Sequence, residues 1–228
     1  MKVIISPPRV ASTFYAHYWQ QNNPQYIMQV EKFQNANHTA ISKQENFLKK
    51  IQKLHNDTNN NYLIKILTTK NVDKEIYRYL INHQIPITFI YRRDFESQVL
   101  SASLMYATRL VNAFPNYKWV LHPNRPIHGG KSVLIKPTTY FKGKNLYKNL
   151  IFKKEAGVIV RNAIRRCKVI EKHCNVGEVL YYEDIIKYPY KENGKMPLPI
   201  HDMTKEEIYG CFVNANEAKE WIEKYKIE

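Results

Sequence analysis

Residues 2–14 of the chain form the segment KVIISPPRVASTF. Its first part is an apolar run that stops at Pro7-Pro8, which predicts a short strand over residues 2–6. Helical spacing then begins at Ser12 and lasts until Asn22-Asn23-Pro24. A strand that passes through a short loop into a helix is the first step of an α/β fold.

The rest of the chain continues this alternation of strand and helix. Apolar, β-branched runs predict further strands, and apolar residues three or four positions apart predict helices. The predicted strands lie over residues 63–68, 87–91 and 178–182, and the predicted helices over 72–80, 94–110, 160–167 and 221–225. Thr204 and Glu207 have the spacing of a capping box, which marks a helix start. This order predicts a central parallel sheet flanked by helices.

The whole chain, residues 1–228, is predicted to form one domain, because its length fits a single core and no repeat or low-complexity linker divides it. Residues 115–150 contain several prolines, a glycine pair and few clear periods. They are therefore predicted to be a loop-rich insertion that faces the substrate.

Composition excludes a disordered chain, because 44% of the residues are hydrophobic and 24% are charged. No apolar run is long enough for a membrane-spanning helix, and the first apolar run is too short for a signal peptide. The three cysteines are too few and too scattered for a disulfide framework or a zinc site. These features predict a reduced, cytoplasmic protein that is not bound to a membrane.

The net charge points to anionic partners. Lys and Arg total 35 against 20 acidic residues, which gives +15 at pH 7. Such an excess favours nucleic acid, a phosphorylated cofactor, an acidic polymer or a membrane surface, and it does not choose among them. A basic surface that merely keeps the protein soluble is an equal alternative for most of these residues.

The junction between the first strand and the first helix has the features of a phosphate site. Backbone N–H groups at a helix start point outward, and the helix dipole favours an anion there. Arg9 would add a positive charge, and Ser12 and Thr13 would add two hydroxyl donors. The pattern differs from the usual nucleoside-triphosphate loop, Gly-x-x-x-x-Gly-Lys-Ser/Thr.

A second basic position follows the strand predicted over residues 87–91. Arg93 comes directly after that strand, and Ser101 lies two turns along the next helix. The two side chains could hold one anionic group between them. On spacing alone, a charged helix start with an exposed serine is the simpler interpretation.

Together these segments resemble the 3′-phosphoadenosine-5′-phosphosulfate-dependent sulfotransferase superfamily. That family binds the 5′-phosphosulfate with a strand–loop–helix of the form P-[KR]-S-G-[ST]-T, and residues 8–13, Pro-Arg-Val-Ala-Ser-Thr, are similar to it. Val10 and Ala11 replace its usual Ser-Gly. The family's second motif places Arg at a strand end and Ser eight positions later, both on the 3′-phosphate, which is the spacing of Arg93 and Ser101.

A third segment, residues 179–186, is similar to the family's Tyr-Glu-Asp-Leu box, whose tyrosine packs near the cofactor's adenine. The resemblance gives that role to Tyr182. Phe14 stands where the family often has an aromatic residue near the adenine, and a buried core ring is an equal alternative. The three motifs occur in the family's order, and the resemblance implies a P-loop nucleotide-binding-like three-layer α/β sandwich.

The resemblance also suggests a catalytic base. Many cytosolic members use the histidine of a Lys-Thr-His segment, but the comparable stretch here, residues 65–67, is Lys-Ile-Leu. Another branch, which includes the protein-tyrosine sulfotransferases, uses a glutamate shortly after the first helix. Glu31 is the candidate base on that layout, His38 is the second candidate, and a solvated surface glutamate is the alternative.

The activity implied by the resemblance is sulfuryl transfer from 3′-phosphoadenosine-5′-phosphosulfate to an acceptor hydroxyl, with 3′,5′-ADP as product. In this scheme Arg9 acts with Glu31 in catalysis, residues 9–14 hold the cofactor, and no metal is needed. The acceptor would be a saccharide, a peptide tyrosine or a small metabolite, and an acidic acceptor suits the basic chain. The alternatives are a P-loop kinase or nucleotide hydrolase, and a basic nucleic-acid-binding module.

Overall fold

The computed structural model describes residues 1–30, 42–68, 74–111, 140–141, 144–145, 148–188 and 204–227. The chain divides into two compact units. The first contains Met1–Arg93 and Asn162–Pro189, and the second contains Asp94–Arg161 and Tyr190–Glu228. That the whole chain is one domain stays a prediction.

The first unit alternates strands and helices from its first residues. Its elements are β1 (Lys2–Ser6), α1 (Ser12–Asn22), β2 (Tyr26–Val30), α2 (Ser42–Asn56), β3 (Asn61–Leu67), α3 (Lys74–Asn82), β4 (Ile87–Tyr91), the carboxyl-terminal part of α5 (Lys154–Glu171), β7 (Val176–Tyr181) and α6 (Tyr182–Ile185). The strands predicted at 2–6 and 87–91 are confirmed residue for residue.

A five-stranded sheet forms the centre of this unit, with the order β2-β3-β1-β4-β7. Every neighbouring pair is parallel, so the predicted parallel sheet is confirmed. In the register of the two central strands, Ile4 lies beside Lys65 and Ser6 lies beside Leu67. Because the strands are parallel, all five carboxyl ends lie at one edge of the sheet.

The two faces of the sheet are covered by different helices. One face carries alternate strand residues, among them Val3, Ile5, Ile64 and Phe89, and buries them in one cluster with apolar residues of α2, α3 and α5. Strand alternation puts Ile4, Ser6 and Lys65 on the opposite face. Helix α1 packs on that face and buries Phe14 and Ala16.

This arrangement creates a switch point at the carboxyl edge. The chain leaves β1 toward α1 on one face, and it leaves the neighbouring β3 toward α3 on the other. In open parallel sheets the two departing loops leave a crevice at such a point, and ligands bind there. The fold therefore predicts a ligand site at the loop after β1.

The second unit contains α4 (Phe95–Val111), β5 (Tyr140–Phe141), β6 (Lys144–Asn145), the first part of α5, α7 (Lys205–Gly210) and α8 (Ala215–Tyr225). The predicted capping box is confirmed, because the Glu207 backbone N–H donates to the Thr204 hydroxyl and the Thr204 N–H donates to the Glu207 carboxylate. Lys205 joins α7 to the start of α4 through ion pairs of 3.1 Å with Asp94 and 2.6 Å with Glu96.

Three elements of the first unit are absent from the sequence prediction: strand β2, helix α2 and the short helix α6. Strand β2 lies at the edge of the sheet, where Ile27 is 43% exposed, so its pattern is that of a half-exposed segment. Helix α2 is rich in lysine and glutamine, and its few apolar residues pack on one side. Residues 115–139 of the predicted insertion lie outside the described ranges. Among the residues described, no helix combines the length and the apolar character that crossing a membrane requires.

Candidate functional site

The loop between β1 and α1 has an unusual backbone. Arg9 has a φ of 65° and Ala11 a φ of 53°, both in the left-handed region that favours glycine. Residues with side chains seldom adopt this conformation, and such strain often occurs at ligand-binding sites. Left-handed residues in a short loop turn successive backbone N–H groups toward one concavity, which suits an anion.

Replacing Ala11 with glycine is expected to stabilise the free protein. The Cβ of Ala11 disfavours its left-handed conformation, and glycine removes that penalty at some cost in unfolded-state entropy. We expect the free energy of unfolding, measured by urea titration, to rise by up to about 1 kcal/mol. Ala16→Gly, inside α1, is the matched control and is expected to lose about 1 kcal/mol or more. Equal losses in the two variants would contradict the left-handed assignment.

A buried lysine lies beneath the start of α1. Lys65, in the middle of β3, is 2% exposed, and its Nζ donates a hydrogen bond of 2.5 Å to the Thr13 hydroxyl in the first turn of α1. A lysine is rarely buried unless its amine is hydrogen-bonded or paired with an anion. This contact directs a basic group to the helix start that the sequence predicts as a phosphate site.

A hydroxyl without a partner lies on the same face of the sheet. Ser6 is the last residue of β1, and its Oγ is buried and makes no hydrogen bond to the described residues. A buried polar atom without a partner is uncommon and costs about 1–3 kcal/mol. A ligand oxygen in the crevice after β1 would satisfy it.

Helix α1 is open to an anion at its amino terminus. It begins after Ala11, which supplies no side-chain cap, and its first turn contains no acidic residue. Further along the helix, the Tyr15 hydroxyl donates to the Glu178 carboxylate of β7 over 3.0 Å. Burial and the neighbouring Glu178 raise the pKa of the Tyr15 phenol, which keeps this donor protonated. The hydrogen bond fixes α1 over the sheet and so fixes the position of its first turn.

The second predicted motif meets the third at the same edge of the sheet. The Arg93 guanidinium lies 3.0 Å from Asp184 and 4.0 Å from Glu183, and it stacks 4.0 Å above the Tyr181 ring. The hydrogen bond to Asp184 is the main cause that raises the pKa of Arg93. Arg93 is therefore a permanent cation, and 53% of its side chain is accessible to ligands.

Tyr182 begins α6 and does not end the strand as the sequence predicted, because β7 stops at Tyr181. The Arg92 guanidinium lies 4.1 Å from the centre of the Tyr182 ring. The Nε of Arg92 is itself buried without a hydrogen bond in the described part of the chain. Aromatic ring and guanidinium together form a stacked pair next to Arg93.

The other predicted site residues differ in accessibility. Val10 is fully buried and Phe14 is 2% exposed, so Phe14 is a core ring in this structure. Ser12 is 5% exposed. Ser101 is 3% exposed and belongs to α4 in the second unit, whereas Arg93 belongs to the first. Their joint role stays a prediction. Glu31 and His38 lie outside the described residues.

Two residues of this site, Lys65 and Ser6, were not assigned a role from the sequence. A signal for Lys65 was present, because a strand buried in a parallel sheet normally reads as a continuous apolar run and β3 has a lysine at its centre. The orphan hydroxyl of Ser6 could not be found in this way, since a serine at a strand end is ordinary. Leu67 ends β3 beside Ser6 and offers no proton acceptor.

Comparison with protein-family models, curated proteins and solved structures finds no match for this chain. Among the residues that the structure describes, no three His, Cys, Asp or Glu side chains are placed to hold a metal ion.

Proposed function

We propose that the protein is a sulfotransferase that moves a sulfuryl group from 3′-phosphoadenosine-5′-phosphosulfate to an acceptor hydroxyl. The observation that carries the proposal is the buried Lys65, whose amine donates to Thr13 in the uncapped first turn of α1. A lysine amine at a helix start suits an anionic ligand, because its charge and the helix dipole both favour an anion there.

The 5′ side of the nucleotide fits the loop after β1. Lys65 and Arg9 supply positive charge, Thr13 and Ser12 supply hydroxyls, and Ser6 has a buried hydroxyl to satisfy. Charge-assisted hydrogen bonds of this kind contribute about 1.5–3 kcal/mol each. Such donors favour the leaving phosphate most strongly as its negative charge grows during transfer.

The 3′ side fits the end of β4. Arg93 is a half-exposed cation at the same edge of the sheet, and the resemblance assigns it to the 3′-phosphate together with Ser101. The Arg92–Tyr182 pair beside it offers a flat surface for the adenine. This division gives each phosphate its own basic residue.

The reaction requires little covalent chemistry from the protein. The cofactor supplies the sulfuryl group: the bond from sulfur to the phosphate oxygen breaks as the bond to the acceptor oxygen forms, and 3′,5′-ADP leaves with the electron pair. Glu31 accepts the proton of the acceptor hydroxyl. Val30, the residue before Glu31, ends β2 at the carboxyl edge of the sheet. Positioning by the surrounding donors supplies most of the rate enhancement.

The charge of the chain suits an acidic acceptor. A surplus of +15 would attract an acidic saccharide or an acidic peptide that carries the reacting hydroxyl. A P-loop kinase is the second candidate enzyme, since a parallel sheet with a phosphate-binding loop is common to both. The loop after β1 does not support this candidate, because it has Ser6 and Ala11 where a Walker loop has its two glycines and Ser12 where it has its lysine.

Replacing Arg93 with alanine tests the assignment of the two phosphates. We expect the dissociation constant for 3′,5′-ADP, measured by calorimetry, to rise about 10- to 100-fold, because one set of charge-assisted hydrogen bonds is lost. The dissociation constant for 5′-ADP should stay within about twofold, since that ligand has no 3′-phosphate for Arg93 to bind.

The matched control is Arg78→Ala, which removes an exposed arginine of α3 and the same charge from the same unit. It should leave both dissociation constants unchanged. Equal losses for 3′,5′-ADP and 5′-ADP in the Arg93 variant would mean that Arg93 has a structural role, and the assignment of the 3′-phosphate would be wrong.

A further inference from the structure

The residue proposed to bind the 3′-phosphate already has an anionic partner in this structure. Nη2 of Arg93 donates a hydrogen bond of 3.0 Å to Oδ2 of Asp184, so the contact joins the two side chains. Among the described residues, Asp184 has one further ion pair, 3.8 Å long, with Lys187 one turn later on the chain. A phosphate that binds Arg93 therefore competes with a carboxylate of this chain.

The geometry of the guanidinium makes this competition direct. A phosphate engages arginine best in a bidentate manner, along an edge that presents two N–H groups. Both such edges of the side chain include Nη2, the nitrogen that Asp184 occupies. A phosphate on either edge comes next to the Asp184 carboxylate, and the two negative charges repel each other.

The neighbouring carboxylate has a different task. Glu183 accepts the backbone N–H of Arg93, at 3.1 Å from Oε1 and 3.3 Å from Oε2. Its distance to the guanidinium is longer, 4.0 Å. Glu183 thus ties the chain after β4 to the start of α6, and Asp184 is the carboxylate closer to the guanidinium. Glu183 therefore binds the backbone N–H of Arg93, and Asp184 binds its side chain.

We propose that Asp184 sets the affinity of this site for 3′-phosphorylated nucleotides, as a counter-charge that must release Arg93 when the ligand binds, and that Glu183 is the positioning residue that holds Arg93 in place. This inference rests on the proposed function. It predicts effects of opposite sign for two neighbouring carboxylates, which loss of structure alone would not produce.

The test is calorimetric titration of the full chain with 3′,5′-ADP and with 5′-ADP. Asp184→Asn is expected to lower the dissociation constant for 3′,5′-ADP about fivefold, the scale of one exposed ion pair, and to leave that for 5′-ADP unchanged. The gain should shrink as salt is added, because salt screens the exposed charges. Glu183→Ala should raise the dissociation constant for 3′,5′-ADP, and Glu183→Gln should restore it, since the amide oxygen still accepts the Arg93 N–H.

The charge-matched control is Asp57→Asn, in the turn before β3 at the opposite end of the sheet. It should change neither dissociation constant. If Asp184→Asn leaves 3′,5′-ADP binding unchanged while the wild type prefers that ligand, the counter-charge role is wrong and the proposed function stands. If the wild type does not prefer 3′,5′-ADP to 5′-ADP, both proposals are wrong.

Discussion

Glu31→Gln is expected to lower kcat by about 10²–10⁴-fold, the range for removal of a general base. The side chains have nearly the same shape, but the amide cannot accept the acceptor's proton. The dissociation constant for 3′,5′-ADP should stay close to that of the wild type, because a base that takes the acceptor's proton is not needed to bind the nucleotide. Turnover is measured as release of 3′,5′-ADP from the cofactor with the best of a panel of hydroxylated acceptors.

The position of Glu31 in the chain supports this expectation. The residue before it, Val30, ends the edge strand β2, and all parallel strands of the sheet end at the edge where the loop after β1 begins. His38→Gln is the comparison variant, since His38 is the second candidate for the base. A Glu31→Gln protein with wild-type turnover, beside a His38→Gln protein without it, would transfer the role to His38.

Lys65→Met is expected to raise the dissociation constants for both 3′,5′-ADP and 5′-ADP by about 10- to 100-fold, because the proposed function has Lys65 bind the 5′-phosphate that the two ligands share. Equal losses for both ligands distinguish this variant from Arg93→Ala, which should affect one ligand alone. Methionine is one atom shorter than lysine and fills most of its buried volume.

Lys2→Met is the matched control for Lys65. Lys2 lies on the same face of the sheet at its amino end, above the Trp19 ring and 4.0 Å from Glu178. Burial lowers the pKa of Lys2, so it also is a lysine partly withdrawn from water. The control should bind both nucleotides as the wild type does. If Lys65→Met folds and binds both nucleotides normally, Lys65 is a structural lysine and the main support for the proposal is lost.

The sequence predicts the sheet well because its central strands are unambiguous. β1 and β4 are short apolar runs bounded by prolines or charges. Such runs are typical of strands that a parallel sheet buries on both faces. β2 and α2 are exposed on one side, so polar residues interrupt their patterns and local spacing was insufficient to find them. Long-range pairing with β3 establishes β2, and a sequence read locally does not contain that information.

The candidate site shows the same division between local and long-range information. The loop after β1 is contiguous, and its phosphate-binding character was visible in the residues themselves. The contact of Lys65 with Thr13 joins positions 52 residues apart, and that of Arg93 with Asp184 joins positions 91 apart. The sequence predicts that Arg93 lies at the end of a strand. It does not show that a carboxylate of the third motif already binds Arg93.

The melting temperature of the wild-type protein, measured with 3′,5′-ADP and with 5′-ADP at equal concentration, tests whether the protein binds a 3′-phosphorylated nucleotide. At a hundredfold excess over its dissociation constant, a ligand stabilises by about 2.7 kcal/mol, which for a chain of this length raises Tm by roughly 5–10 °C. We predict a rise of this size with 3′,5′-ADP and a clearly smaller one with 5′-ADP. Equal shifts, or no shift with either nucleotide, would contradict the proposal that the protein uses a 3′-phosphorylated sulfuryl donor.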